Sequence, residues 1–143
     1  MRLYLDTSAL VKLYVEEQGS TLVREWVQEA TAVATSAIAY AEARAAFARR
    51  RREKYFTSGD YRRVIQDFDN DWGHYVLLEV SDSVIRKAAK LAETHALRAY
   101  DAIHLASANV LREHLKERVL FASWDSKLLN AARREGLEPA RSK

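Results

Sequence analysis

Leu3-Tyr4-Leu5-Asp6-Thr7-Ser8-Ala9-Leu10 is the stretch that decides the fold. Three apolar residues make a short strand, and the strand stops at a carboxylate. From Ala9 to Glu17 the spacing predicts a helix, with Leu10, Leu13 and Tyr14 on one side and Gly19 as its stop. A strand that ends on an acid and passes straight into a helix is the first half of a β-α-β crossover. An acid in that place stands at the carboxyl edge of the sheet, where open parallel sheets bind their ligands.

The same alternation runs through the rest of the chain. Ser20 is placed to cap a second helix, in which Leu22, Val23, Trp26 and Val27 recur at helical spacing. Ala32 to Thr35 reads as a second strand, bounded by Ser36. From Ala37 the sequence is alanine-rich and helical, with Ile38, Ala41, Glu42 and Ala45 on one stripe. Ser58-Gly59-Asp60 breaks that helix and starts another, striped by Tyr61, Val64, Ile65, Phe68 and Trp72. Tyr75 to Val80 is a third strand, and Ser81-Asp82 cap a helix bearing Val84, Ile85, Ala88 and Leu91. Ala102 to Leu111 is nearly all small or apolar, so its helix is expected to be buried on most sides. Arg118 to Ala122 is a fourth strand and Asp125 to Arg134 a last helix, stopped by Gly136. Leu137 to Ala140 makes a poor fifth strand, in which Pro139 fits only an edge. Strands alternating with helices imply right-handed crossovers, hence an α/β/α sandwich: a central parallel sheet with helices on both faces.

Bulk properties narrow the class. The chain has 143 residues, 48% hydrophobic and 30% charged, with one proline and four glycines. That is one domain's worth, 1–143, with little material for linkers. Cysteine is absent, which excludes a disulfide framework and a thiolate metal site. No apolar stretch resembles a signal peptide or a membrane span, so a cytoplasmic location and no membrane partner are expected. The net charge of +3 permits a phosphate-bearing partner without demanding one. The charge is unevenly spread, with Arg49-Arg50-Arg51-Arg52 in one run. Such a run is either a solvated helix face or a phosphate contact.

Four acids fall near one rim. Asp6 ends the first strand, Asp125 follows the fourth, and Asp101 opens the buried helix after Leu97-Arg98-Ala99-Tyr100. Glu42 lies about a turn and a half into the helix that leaves the second strand. Taken singly, Asp6, Asp101 and Asp125 can be helix caps, each justified by about 1 kcal/mol. Glu42, on an otherwise apolar stripe, would need a partner such as Arg44, Arg49 or Arg98. Together, clustered carboxylates repel unless a cation neutralises them. Hard oxygen ligands without Cys or a clear His set suit Mg²⁺ or Mn²⁺.

Asp6-Thr7-Ser8-Ala9-Leu10, Thr35-Ser36 followed by Glu42, Asp101-Ala102-Ile103-His104-Leu105-Ala106, and Ser123-Trp124-Asp125-Ser126-Lys127-Leu128 resemble, in order and over nearly the whole chain, PIN domains of the VapC-type toxins of toxin–antitoxin pairs. The resemblance implies a PIN-like fold and a metal-dependent endoribonuclease, with Asp6, Glu42, Asp101 and Asp125 as its metal-binding acids. Ser8, Ser36 and Ser123 match the family's small polar neighbours. RNA as substrate, a cognate antitoxin and a homodimer are implied with it. The family's usual fifth strand is clearer than Leu137–Ala140, which leaves the sheet edge open.

Other constellations fail on their residues. Asp67-Phe68-Asp69-Asn70-Asp71 imitates a calcium loop but has Trp72 where glycine is required and Leu78 where glutamate is required. No glycine-rich phosphate loop is present. A receiver-type domain would need a further acidic pair after the first strand. His104, one turn beyond Asp101, is expected to be a locally bonded core histidine. The alternative to a nuclease is a non-catalytic RNA-binding module of the same fold. Trp26, Trp72 and Trp124 read as core or interface, with Trp124 the one whose position beside Asp125 also suits base stacking.

Overall fold

Side-chain alternation in two strands sets the layers of the computed structural model, which describes residues 1–141; the last two residues of the expected 1–143 domain lie outside the described residues. In β1 (Arg2–Leu5), Leu3 and Leu5 point to one face and Tyr4 to the other. In β4 (Val119–Ala122), Leu120 and Ala122 share the face of Leu3, while Val119 and Phe121 share that of Tyr4. Both strands are therefore apolar on two sides, as strands covered by helices on both faces must be.

The sheet is completed by β2 (Ala32–Ser36), β3 (Val76–Leu78) and β5 (Glu138–Pro139). Its order is β3-β2-β1-β4-β5, with every pairing parallel. α1 (Thr7–Val11), α2 (Ser20–Glu29), α3 (Ala39–Arg52) and α4 (Ser58–Trp72) pack on the Leu3 face through Leu10, Val23, Ala43, Phe47 and Phe68. α5 (Asp82–His95), α6 (Ala99–Leu115) and α7 (Ser126–Arg134) pack on the Tyr4 face through Leu91, Leu105 and Leu128. Each such fully buried side chain contributes roughly 1.5–3 kcal/mol relative to exposure. The order of strands reverses between β1 and β4, so the carboxyl ends of these two flank the switch point. Among the described residues no helix is long and apolar enough to cross a membrane.

Several boundaries differ from the pattern, for physical reasons. The helix expected over 9–17 ends at Val11, because the amides of Lys12, Leu13 and Tyr14 bond three residues back and tighten the chain into a turn. Leu10, Leu13 and Tyr14 still meet the same core, so periodicity does not register the change. Gly19, at φ +95°, is the N-cap of α2 in place of Ser20, whose hydroxyl instead accepts from the Glu17 amide and donates to the Val15 carbonyl. α6 starts at Ala99, so Asp101 lies inside its first turn and is not a cap. The fifth strand does form, two residues long, and Pro139 sits at the sheet edge as its missing N–H requires.

Candidate active site

Asp6 leaves β1 with its amide bonded to the Ala122 carbonyl of β4, which seats it at the switch point, 4% exposed. Oδ1 caps α1 by accepting from the Ala9 amide at 3.0 Å and also accepts from Ser8 Oγ at 2.7 Å. Oδ2 accepts from Ser123 Oγ at 2.6 Å. The cap reading is thus correct and incomplete, since one oxygen caps while the other faces the loop after β4. Burial pushes the Asp6 carboxyl above its ordinary value, against the His104 charge and these donors, which work downward.

Asp125 repeats the arrangement. Oδ1 caps α7 through the Leu128 amide at 3.0 Å, and Oδ2 lies 3.6 Å from Arg98 Nη2. Arg98 also donates through Nε to Asp101 Oδ2 at 3.0 Å. One exposed guanidinium therefore spans two carboxylates.

Glu42 finds none of the arginine partners that the sequence offered. Its Oε1 accepts from Thr7 Oγ1 at 2.6 Å and from His104 Nε2 at 2.9 Å. A carboxylate only accepts, so Nε2 carries a proton; in the neutral ring Nδ1 then accepts from the Tyr4 hydroxyl, 2.8 Å away. The ring is 2% exposed and joins three elements, not its own helix turn. Burial works upward on Glu42, but the bonds from His104 and Thr7, with the charges of His104 and Arg98, outweigh it and hold the carboxyl below its ordinary value. Both bonds fall on Oε1, which leaves Oε2 outside that network.

Asp6, Glu42, Asp101 and Asp125 all line one cleft of about 320 Å³, together with Thr7, Ser8, Arg98, His104 and Trp124. Ser8 and Ser123 bind Asp6, whereas Ser36 accepts only from the nearby Ile38 amide at 3.3 Å. The sequence reading missed Thr7, His104 as a site residue, and Arg98 as the bridge. His104 was findable, because it follows Asp101 by three positions and so shares its helix face.

A PIN domain family model matches residues 3–133. The chain belongs to the PIN domain family. Ribonuclease VapC45 of Mycobacterium tuberculosis is 34% identical over 137 residues, covering 96% of this chain and 93% of that protein. VapBC2 from Rickettsia felis, solved bound to a DNA fragment from its promoter, superposes with a TM-score of 0.67 at 13% identity, covering 100% of both chains. A toxin-antitoxin complex from Klebsiella pneumoniae gives 0.62 at 18% identity, over 87% of this chain and 88% of that one. At these identities the two structures speak for the fold alone.

The acids of this PIN domain suit a divalent cation in their chemistry more than in their present arrangement. Among the described residues no three Asp, Glu or His side chains converge tightly enough to form a finished metal cage. Asp6 is turned to its serines, Glu42 to His104 and Thr7, and the other two acids to Arg98. The donor chemistry nevertheless fits, being carboxylate oxygen throughout, and Arg98 is a positive charge already set against two of the four.

Proposed function

We propose that this chain, as one domain over 1–143, is a cytoplasmic endoribonuclease dependent on Mg²⁺ or Mn²⁺, with Asp6, Glu42, Asp101 and Asp125 as its catalytic and metal-holding residues. The observation that carries the reading is that four carboxylates from four separate segments line one cleft at the switch point. The name ribonuclease on a relative matched over 96% of the chain adds to it. Asp6, Glu42, Asp101 and Asp125 would hold the divalent cation, which when bound would supply positive charge to the scissile phosphate and make water a better nucleophile.

The chain's own residues do the rest. Asp6 is fixed by Ser8, Ser123 and the Ala9 amide, so its position costs no reorganisation. Glu42 is ionised at neutral pH, and His104 and Thr7 hold one oxygen while Oε2 is available to orient or deprotonate the attacking water. Arg98 is exposed and long enough to leave the acids for a phosphate oxygen, the role its forked donors suit. An antitoxin partner and a homodimer belong to the same proposal, the first supported by the toxin-antitoxin complex among the structural neighbours.

The test incubates the protein with RNA in Mg²⁺, in Mn²⁺ and in chelator, and analyses the ends produced. A metal-activated water leaves 5′-phosphate and 3′-hydroxyl ends and no cleavage in chelator. Ends bearing 2′,3′-cyclic phosphate, or full activity in chelator, would contradict the reading. RNA binding without cleavage, indifferent to chelator, would favour the non-catalytic module.

A further inference from the structure

The Trp124 side chain bonds none of the four acids, yet it lines the same cleft, and the residue is 38% exposed. Four contacts hold it. Its amide donates at 3.0 Å to Ser8 Oγ, the hydroxyl that itself binds Asp6. Lys12 Nζ stands 4.7 Å from the ring centroid and is anchored at 2.9 Å by Glu17. Trp26 packs against it at 5.6 Å between centroids, tilted by 40°. Gly19 comes so close that a Cβ there would lie 2.5 Å from the ring's Cζ2. Trp26, whose task is packing, is 8% exposed; Trp124 is held as firmly and left open.

Lys12 lies over one face of the indole, and a planar group settling on the exposed remainder of a ring seated in this way costs it little rotamer freedom. We infer that Trp124 is a substrate-recognition platform on which an unpaired base of the RNA stacks, beside the phosphate presented to the acids. This rests on the nuclease reading above. Trp124 and the four acids line one cleft, so the stacked base and the phosphate at the cleft belong to nearby positions of one strand. Base faces are hidden inside a duplex, so the platform selects single-stranded segments and tolerates many sequences.

The test titrates the protein, in chelator at fixed salt, with labelled twelve-nucleotide single-stranded RNA and with the same backbone lacking its bases. Anisotropy reports binding, and melting curves report folding. The parent should bind the base-bearing strand roughly tenfold more tightly than the abasic one. Trp124→Leu should lose that preference and Trp124→Phe should keep most of it. The base-bearing strand should also change tryptophan emission in the parent and not in Trp124→Phe, a readout that stands even if the leucine variant folds poorly. No preference in the parent, or the same preference in all folded variants, would overturn the platform. Cleavage with Mn²⁺, measured alongside, separates the two readings. Cleavage without base preference sinks the platform alone, and preference without cleavage sinks the nuclease alone.

Discussion

Two pairs of carboxylates in the cleft are held by different means. Asp6 and Glu42 are bound by the hydroxyls of Ser8, Ser123 and Thr7, by the His104 ring and by a backbone amide. Asp101 and Asp125 share a single exposed guanidinium, with Asp125 Oδ1 also held by the Leu128 amide. Hydroxyls and amides on rigid elements fix an oxygen in place without cancelling its charge. A long arginine cancels charge and is free to swing away. The first pair is therefore set by geometry, and the second carries a charge balance that an arriving cation can replace. The contrast assigns Asp6 to position and Arg98 to competition.

The largest effect expected is on Asp6. Asp6→Asn keeps the capping oxygen but removes a charge from the fixed pair, and RNA cleavage should fall by roughly a hundredfold or more. Retained cleavage in a single-turnover assay would erase the distinction between the two pairs at once.

The next effect is on stability. His104→Leu leaves the buried Tyr4 hydroxyl without its ring partner, at a cost of about 1–3 kcal/mol, and takes from Glu42 one of its two donors. Urea unfolding should show that loss, and a change within a few tenths of a kcal/mol would mean the relay holds nothing. Gly19→Ala should cost about 1–3 kcal/mol, through positive φ and collision with Trp124.

Much of this was legible from the chain. The parallel sheet, the place of Asp6 and Asp125 at its carboxyl edge and the edge position of Pro139 follow from strands that run into carboxylates and from a missing N–H. The end of α1 at Val11 was hidden, because a tight turn presents Leu10, Leu13 and Tyr14 to the same core as a helix would. The surroundings of Glu42 were hidden too. Nearby arginines in sequence suggested an ion pair, but Arg44 bonds Tyr40 and Arg49 reaches Glu53. The Arg49–Arg52 run is likewise partly used within the fold, with Arg50 on Glu17 and Arg51 over Tyr61. Contacts 60 to 100 residues apart, such as His104 with Glu42 and Tyr4, leave no local periodicity to read.

Acid titration sharpens the comparison further. Asp6 has a folded pKa raised above its unfolded value, so its ionised form destabilises the metal-free fold at neutral pH. That penalty fades as pH falls through the folded pKa toward 3.8. Glu42, with a lowered pKa, acts in the opposite sense: it stabilises above its unfolded value of 4.5 and loses this as pH falls through the folded pKa. Asp6→Asn should therefore be more stable than the parent in chelator at pH 7, by a margin that shrinks toward pH 4. A margin that grows on acidification would reverse the assignment. The smallest effect belongs to the pair that shares Arg98. Arg98→Met removes the competing charge, and Mn²⁺ should bind roughly threefold more tightly by titration; weaker binding would make Arg98 a helper of the cation.

The most direct test of the central claim, that four carboxylates act as one cation site, is thermal unfolding of parent and Asp6→Asn with chelator and with Mn²⁺. The parent should gain melting temperature from Mn²⁺ and the variant should gain distinctly less, since a cation that binds only the folded state stabilises by an amount that grows with the logarithm of its affinity. Equal gains in both proteins would mean that Asp6 is only a helix cap and that the cluster does not act as one site.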